Sequence, residues 1–291
     1  MQSRSFSFAA GMVLLVLGHA HAQVSVVDDL GRTVTLAGVP HRIVSLAPSI
    51  TETLYALDDG DNVAGVTDFC NYPPEARKKQ RVGGITNPSI EAIVGLKPDL
   101  ILLSMEGNVR DDFDKLTGLG VPVFVTNPRT LAGIHKSIDD LGRLTGKQDT
   151  AARLVRTMLA REDSITSLVT SKKKVMLVVS LQPLIVVGNK TFLSELLERS
   201  GGVNIAASSP STYPTLSREA VIASDPDVVI VMSEVLSDPG ELVKLFPEWA
   251  TLKAFLTHQV YRIDSDIVSR PGPRAVDGLA ALYRIIQERH P

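Results

Sequence analysis

Cysteine is nearly absent: Cys70 is the only one in 291 residues. That excludes an intrachain disulfide and any cysteine-built zinc or iron–sulfur site. Tryptophan is as scarce, with Trp249 alone. No charge of one sign dominates, because 30 Lys and Arg face 32 Asp and Glu for a formal net charge of −2. A chain that wraps nucleic acid needs a strongly basic face, so that partner class drops out. With 44% hydrophobic and 21% charged residues, the chain is too apolar and too balanced for disorder. Catalytic punctuation is missing as well. There is no G-x-G-x-x-G for a dinucleotide and no G-x-S-x-G nucleophile elbow. Gly146-Lys147 and Gly188-Asn189-Lys190-Thr191 lack the earlier glycine of a phosphate loop. Beyond His19 and His21, the histidines are His41, His135, His258 and His290. No two of these four stand at i, i+2 or i, i+4, so no histidine-built metal site is expected. Nothing announces catalysis, a resident metal or a cofactor.

One long apolar run is present, at the start. Arg4 gives a positive beginning, Phe6 to Leu17 an apolar stretch, and Ala20-His21-Ala22 a small-x-small cleavage pattern. Residues 1–22 are therefore expected to be a secretory signal. The run is about a dozen residues, short of the ~20 needed to span a bilayer. No cysteine follows it, so no lipid anchor is expected, and the product is predicted to be a soluble periplasmic protein. Cytosolic cofactors such as ATP and NAD are poor candidates there.

The rest alternates between two periods. Val24 to Leu36 predicts a hairpin turning at Leu30-Gly31, and Arg42 to Leu46 a buried strand. Ser49 with Glu52 has the spacing of a capping box, for a helix ending near Leu57. Strands are predicted at 62–66, 99–103 and 121–125, with helices at 89–96 and 111–119 between them. Such alternation means βαβ units and a mostly parallel sheet. From 131 to 172 the pattern turns helical, broken only near Gly146. After Lys172 the alternation returns, with strands at 175–180, 227–232 and 260–263, a helix at 192–199 and a closing helix at 273–289. The prediction is an α/β protein: an N-terminal lobe (23–146), a long connecting helix (147–172) and a C-terminal lobe (173–291), each lobe with its own core. Ligands collect at the carboxyl ends of parallel strands and between domains, so the site is expected in the cleft. A stiff connector restricts closure, which suits a large preformed guest.

An internal echo supports two equivalent lobes. Residues 89–101 (SIEAIVGLKPDLI) align without a gap to 217–229 (SREAVIASDPDVV), at a constant offset. Glu91 and Glu219 each fall two residues after the capping serine, in the first turn of a short helix. The helix dipole favours negative charge there. Alternatively, a twofold pair of acids docks on a twofold transporter bearing arginines.

Taken in order, these motifs resemble those of class III periplasmic substrate-binding proteins of ABC importers. The segments are 42–52 (RIVSLAPSITE), 67–74 (TDFCNYPP), 96–101 (LKPDLI) and 200–204 (SGGVN). The cobalamin receptors are most similar, with siderophore and heme receptors as cousins. The resemblance implies two Rossmann-like lobes on a single long helix, acting as a monomer that delivers a corrinoid to a permease dimer in the inner membrane. It places the transporter-docking pair at Glu91 and Glu219. It puts an aromatic against the guest at Phe69, a second-lobe aromatic at Tyr213, and a binding loop at Asp266, Ile267, Val268, Ser269 and Arg270. The pattern departs from cobalamin receptors in having Ile85, Ser104 and Ile267 where several Trp and Tyr line the cleft. An iron–siderophore or heme receptor, or an exported enzyme on the same scaffold, remain alternatives.

Overall fold

The computed structural model describes residues 23–105, 107–108 and 110–288; the expected signal, residues 1–22, lies outside them. A hairpin of β1 (Val24–Val27) and β2 (Thr33–Leu36) opens the chain. Its turn forms as expected, because the Asp28 carboxylate accepts the backbone N–H groups of Leu30 and Arg32. There follow β3 (Ile43–Ser45), α1 (Pro48–Ala56), β4 (Val63–Val66), β5 (Gln80–Arg81), α2 (Ile90–Gly95), β6 (Leu100–Ser104), α3 (Arg110–Thr117) and β7 (Val123–Thr126). Their five strands make one parallel sheet in the order β5-β4-β3-β6-β7.

Two helices, α4 (Leu131–Leu144) and α5 (Gln148–Ser167), lead to the second lobe. It contains β8 (Lys173–Leu181), β9 (Leu184–Val186), α6 (Phe192–Arg199), β10 (Gly202–Asn204), α7 (Arg218–Ser224), β11 (Val228–Met232), α8 (Leu242–Leu245), α9 (Lys253–Leu256), β12 (Val260–Ile263), α10 (Ser265–Val268) and α11 (Ala275–Gln287). The sheet order is β10-β8-β11-β12, all parallel, with β9 antiparallel on β8. Setting β5 and β9 aside, the four strands β8, β10, β11 and β12 repeat the arrangement of β3, β4, β6 and β7. In each lobe the third strand crosses to the other side of the first.

The repeated segment occupies equivalent places, as α2–β6 and α7–β11. The two aspartates that end its Pro-Asp pairs do the same work. Asp99 accepts the N–H groups of His41 and Arg42 at 2.8 and 2.9 Å, and Asp227 accepts that of Lys174 at 2.7 Å. Each carboxylate thus ties the third strand to the start of its lobe's first strand. Burial opposes the charge on Asp227, but Lys253 and the Lys174 N–H outweigh it and hold the carboxyl below the usual range.

The connecting helix α5 is about 30 Å long at ~1.5 Å per residue. It ends at Ser167 rather than running to residue 172. The reason lies in α11: the Gln287 amide oxygen takes the N–H groups of Thr170 and Ser171, drawing the chain out of the helix. The break between α4 and α5 falls where expected, at Gly146 in the left-handed region (φ 70°).

Burial differs from two separate cores. Leu100 and Leu102 of β6, and Val228 and Ile230 of β11, belong to one apolar cluster that continues through Leu141, Met158, Leu196 and Leu282 on α4, α5, α6 and α11. The alternate residues face separate clusters, Ile101 and Leu103 in the first lobe and Val229 and Val231 in the second. Each sheet shows period-two alternation with both faces covered. The inner faces share a core through the helices, so the spine is packed into both lobes. Polar ties add to it. Glu162 on α5, with a side chain 1% exposed, meets His135 on α4 at 2.8 Å and Arg199 on α6 at 3.8 Å. Glu195 on α6 accepts the Leu131 N–H at the start of α4.

Across the cleft floor a second tie joins the lobes. Glu52 does not cap α1; the residue at the N-cap is Ala47, and no side chain caps that helix end. Instead the Glu52 carboxylate, 2% exposed, accepts Arg270 Nη1 at 2.9 Å, Arg274 Nη2 at 2.6 Å and Arg274 Nε at 2.8 Å. Arg274 also lies 4.2 Å over the Tyr72 ring. This hydrogen bonding to Glu52 holds the Arg274 guanidinium above its usual pKa. A buried ion cluster adds little net stability against an apolar replacement, but removing one member strands the others. Glu52→Ala is expected to destabilise the fold by about 3–5 kcal/mol in denaturant unfolding. A loss below about 1 kcal/mol would show that the cluster is not tying the lobes.

Candidate functional site

The carboxyl ends of both sheets meet at the same place. From the first lobe come Ala47-Pro48-Ser49 after β3, Asp68 and Phe69 after β4, and Ser104 at the end of β6. From the second come Ser233 and Glu234 after β11 and Asp264 to Asp266 after β12. They enclose two adjoining cavities of about 280 and 310 Å3. Phe69, Glu234, Asp266 and Arg270 line both. Another cavity, of about 340 Å3 and lined by Leu30, Met105 and Phe113 among others, lies within the N-terminal lobe and is bordered by no residue of the C-terminal one.

Phe69 is aimed into the cleft by the loop that carries it. The Cys70 side chain points inward, its sulfur 3.2 Å from the hydroxyls of both Thr51 and Thr67. Arg81 donates to the carbonyls of Thr67 and Cys70. With the backbone held on both sides, Phe69 stands 56% exposed at the cavity wall. Opposite it, Asp264 caps α10 by accepting the Asp266 N–H. Ser265 Oγ sits 3.0 Å from Ser233 Oγ and accepts the Glu234 N–H. The two strand-end loops of the second lobe are therefore stitched into one rim.

Of the predicted binding residues, the structure brings together Phe69, Asp266, Ser269 and Arg270. Asp266 and Arg270, one turn apart, face the cleft. Val268 lies on the other side, fully buried in the shared core, and lines neither cavity. Ile267 and Tyr213 line neither cavity; Tyr213 is 40% exposed in the loop before α7. Ile85 and Ser104 do line the second cavity. The lone tryptophan is a core residue, fully buried and stacked on Phe246 with ring centroids 4.1 Å apart.

Sequence reasoning missed Glu52, Asn71 and Glu234. Asn71 bridges the lobes by donating to Asp266 and accepting from Arg270. A signal for the tie was present in the two arginines flanking Pro271-Gly272-Pro273, a segment that packs closely enough to place Gly272 against the Ser49 backbone. Among the described residues, no group of three His, Cys, Asp or Glu is arranged to hold a metal ion, and no helix is long and apolar enough to cross a membrane.

Glu91 and Glu219 both lie exposed in the first turns of α2 and α7, where Ser89 and Ser217 accept the N–H groups of Ala92 and Ala220. The Glu219 carboxyl is held below the usual range by its own backbone N–H and by the Ser217 hydroxyl. It carries full charge at neutral pH.

Comparison with known proteins places this architecture. An uncharacterized ABC transporter substrate-binding lipoprotein of Bacillus subtilis is 32% identical over 273 residues, covering 90% of this chain and 85% of its own. A vitamin B12-binding protein of Vibrio parahaemolyticus is 30% identical over 254 residues, covering 85% and 90%. The solved structure of a periplasmic heme-binding protein of a Roseiflexus species, in its apo form, superposes with a TM-score of 0.76 at 27% identity, covering 85% of this chain and 99% of that one. The sequence profile of the periplasmic binding proteins matches residues 43–267. With its two parallel-sheet lobes on a single long helix and a cleft at their facing strand ends, the chain belongs to the periplasmic binding protein family.

Proposed function

We propose that this protein captures cobalamin or a related corrinoid between its lobes and hands it to the permease of an ABC importer. The observation that carries the reading is the cleft itself, with the exposed Phe69 ring on one wall and the rim of Ser233 to Arg270 on the other. Relatives that span most of the chain and are described as vitamin B12-binding proteins support the same guest. An exposed aromatic face offers dispersion and stacking to a flat macrocycle. Capture and release require no bond to be made or broken, and the protein is read as a receptor rather than an enzyme. We read residues 1–22 as the export signal, the periplasm as the working compartment, and the receptor as a monomer. Residues 23–146 and 173–291 form the two halves of the clasp, and 147–172 the connector. A heme receptor is the second reading, favoured by the likeness to a heme-binding structure.

Glu91 and Glu219 are assigned to docking. They sit at equivalent ends of α2 and α7, so each lobe offers one carboxylate to a twofold permease.

Absorbance titration with cobalamin, hemin and a ferric siderophore is expected to give cobalamin a Kd below ~10 μM, or about −6.8 kcal/mol. Phe69→Ala is expected to weaken it by about tenfold or more. Tight hemin binding without cobalamin binding would overturn the preferred guest. For docking, combining Glu91→Arg with Glu219→Arg is expected to abolish uptake in cells while leaving the cobalamin Kd within about twofold of the parent. Uptake that survives the double reversal would remove these residues from the docking surface.

A further inference from the structure

Arg270 is the only cation among the described residues lining either inter-lobe cavity, and it is not available to a guest. A guanidinium has five N–H donors. Four of those on Arg270 are spent on the protein: Glu52 and Asn71 at Nη1, the Phe69 carbonyl and Asp266 at Nη2. Its side chain is 10% exposed. To bind a carboxylate, it would have to abandon acceptors in both lobes and leave the buried Glu52 short of a partner, which is costly. Arg274 is committed in the same way, to Glu52 and the Tyr72 ring. These two guanidiniums are matched by the carboxylates of Glu52 and Asp266. Among the described residues, the other ionisable groups on the cavity walls are Asp68, Glu234 and Asp264, all exposed acids.

We infer that the cleft selects its guest by charge: it takes a macrocycle whose rim is neutral or cationic and rich in N–H donors, such as carboxamides, and discriminates against one bearing carboxylates. The inference rests on the guest-binding reading of the cleft. It deepens that reading by giving Arg270 an architectural role in place of a ligand-pairing one. It assigns charge discrimination to Asp68 and Glu234, which face the guest from opposite lobes. Three unneutralised acids repel an incoming anion over a distance set by ionic strength, while amide N–H groups find acceptors on the same walls.

Two pairs of probes test it on the full-length mature protein. One is a fully amidated corrinoid against its polycarboxylate counterpart; the other is hemin against its dimethyl ester. Within each pair the shape is nearly constant and the charge changes. The carboxylate member is expected to bind at least about tenfold more weakly at ~10 mM salt, with the gap shrinking toward ~1 M as the Debye length falls from ~30 to ~3 Å. Asp68→Asn combined with Glu234→Gln is expected to close most of that gap by strengthening the carboxylate member. Equal affinity within a pair that binds, or a gap unmoved by salt and by the double substitution, overturns the charge inference and leaves the receptor reading standing. If no member of either pair binds below ~10 μM, the macrocycle-guest reading falls and this inference falls with it.

Discussion

One carboxylate between two guanidiniums sets the geometry of this molecule. Glu52 is almost fully withdrawn from water and takes three hydrogen bonds, all from the opposite lobe. Burying these charges is tolerable only while every partner stays in place. Opening the lobes would expose the cluster to water and let the ions separate, but it would also break the bonds that Asn71 and the Phe69 carbonyl add. The same atoms that hold the lobes together hold the cleft wall. Arg270 fixes the loop that presents Phe69, and Asp266 fixes Arg270.

The helical spine adds a restraint of another kind. The helices α4 and α5 share apolar contacts with both sheets, and their polar ties to α6 reinforce the packing. A packed interface of this sort does not deform continuously; it holds one arrangement or changes to another. With a packed spine behind and an ion cluster at the floor, the cleft exists before any guest arrives. Preformed sites avoid the cost of ordering on binding. That arrangement suits a bulky, rigid ligand whose own shape cannot adapt.

Much of this was legible from the residues alone. Stretches such as Leu100–Leu103 and Val228–Met232 are continuous apolar runs because both sheet faces are covered, and such runs announce a buried parallel sheet. The internal echo foretold equivalent positions for α2–β6 and α7–β11, which the matching strand orders reproduce. Short pieces escaped. Leu184–Val186 is only three residues, and Gly202–Asn204 pairs through a glycine that carries no strand signal. At the site, Phe69 and the 266–270 segment stood out as motif positions, but a motif does not say which residues of a short helical turn face the cleft: Asp266 and Arg270 line it, while Val268 is buried. Glu52 misled for a definite reason: its spacing from Ser49 satisfies a local capping rule, and its partners lie more than two hundred residues away. A sequence displays local spacing, whereas the partners of a buried charge are chosen by the tertiary fold.

A cleft set in advance by two independent ties is the central claim, and the distance between the lobes tests it most directly. Spin labels at Lys78→Cys and Lys244→Cys, both exposed and one on each lobe, report that distance by pulsed dipolar spectroscopy while the buried Cys70 stays unlabelled. The expected result is one narrow distribution whose mean moves by less than ~2 Å when cobalamin is added in excess. A broad distribution in the unloaded protein, or a shift beyond ~5 Å on loading, would mean that the lobes swing freely and that the guest, not the Glu52 cluster and the helical spine, assembles the site.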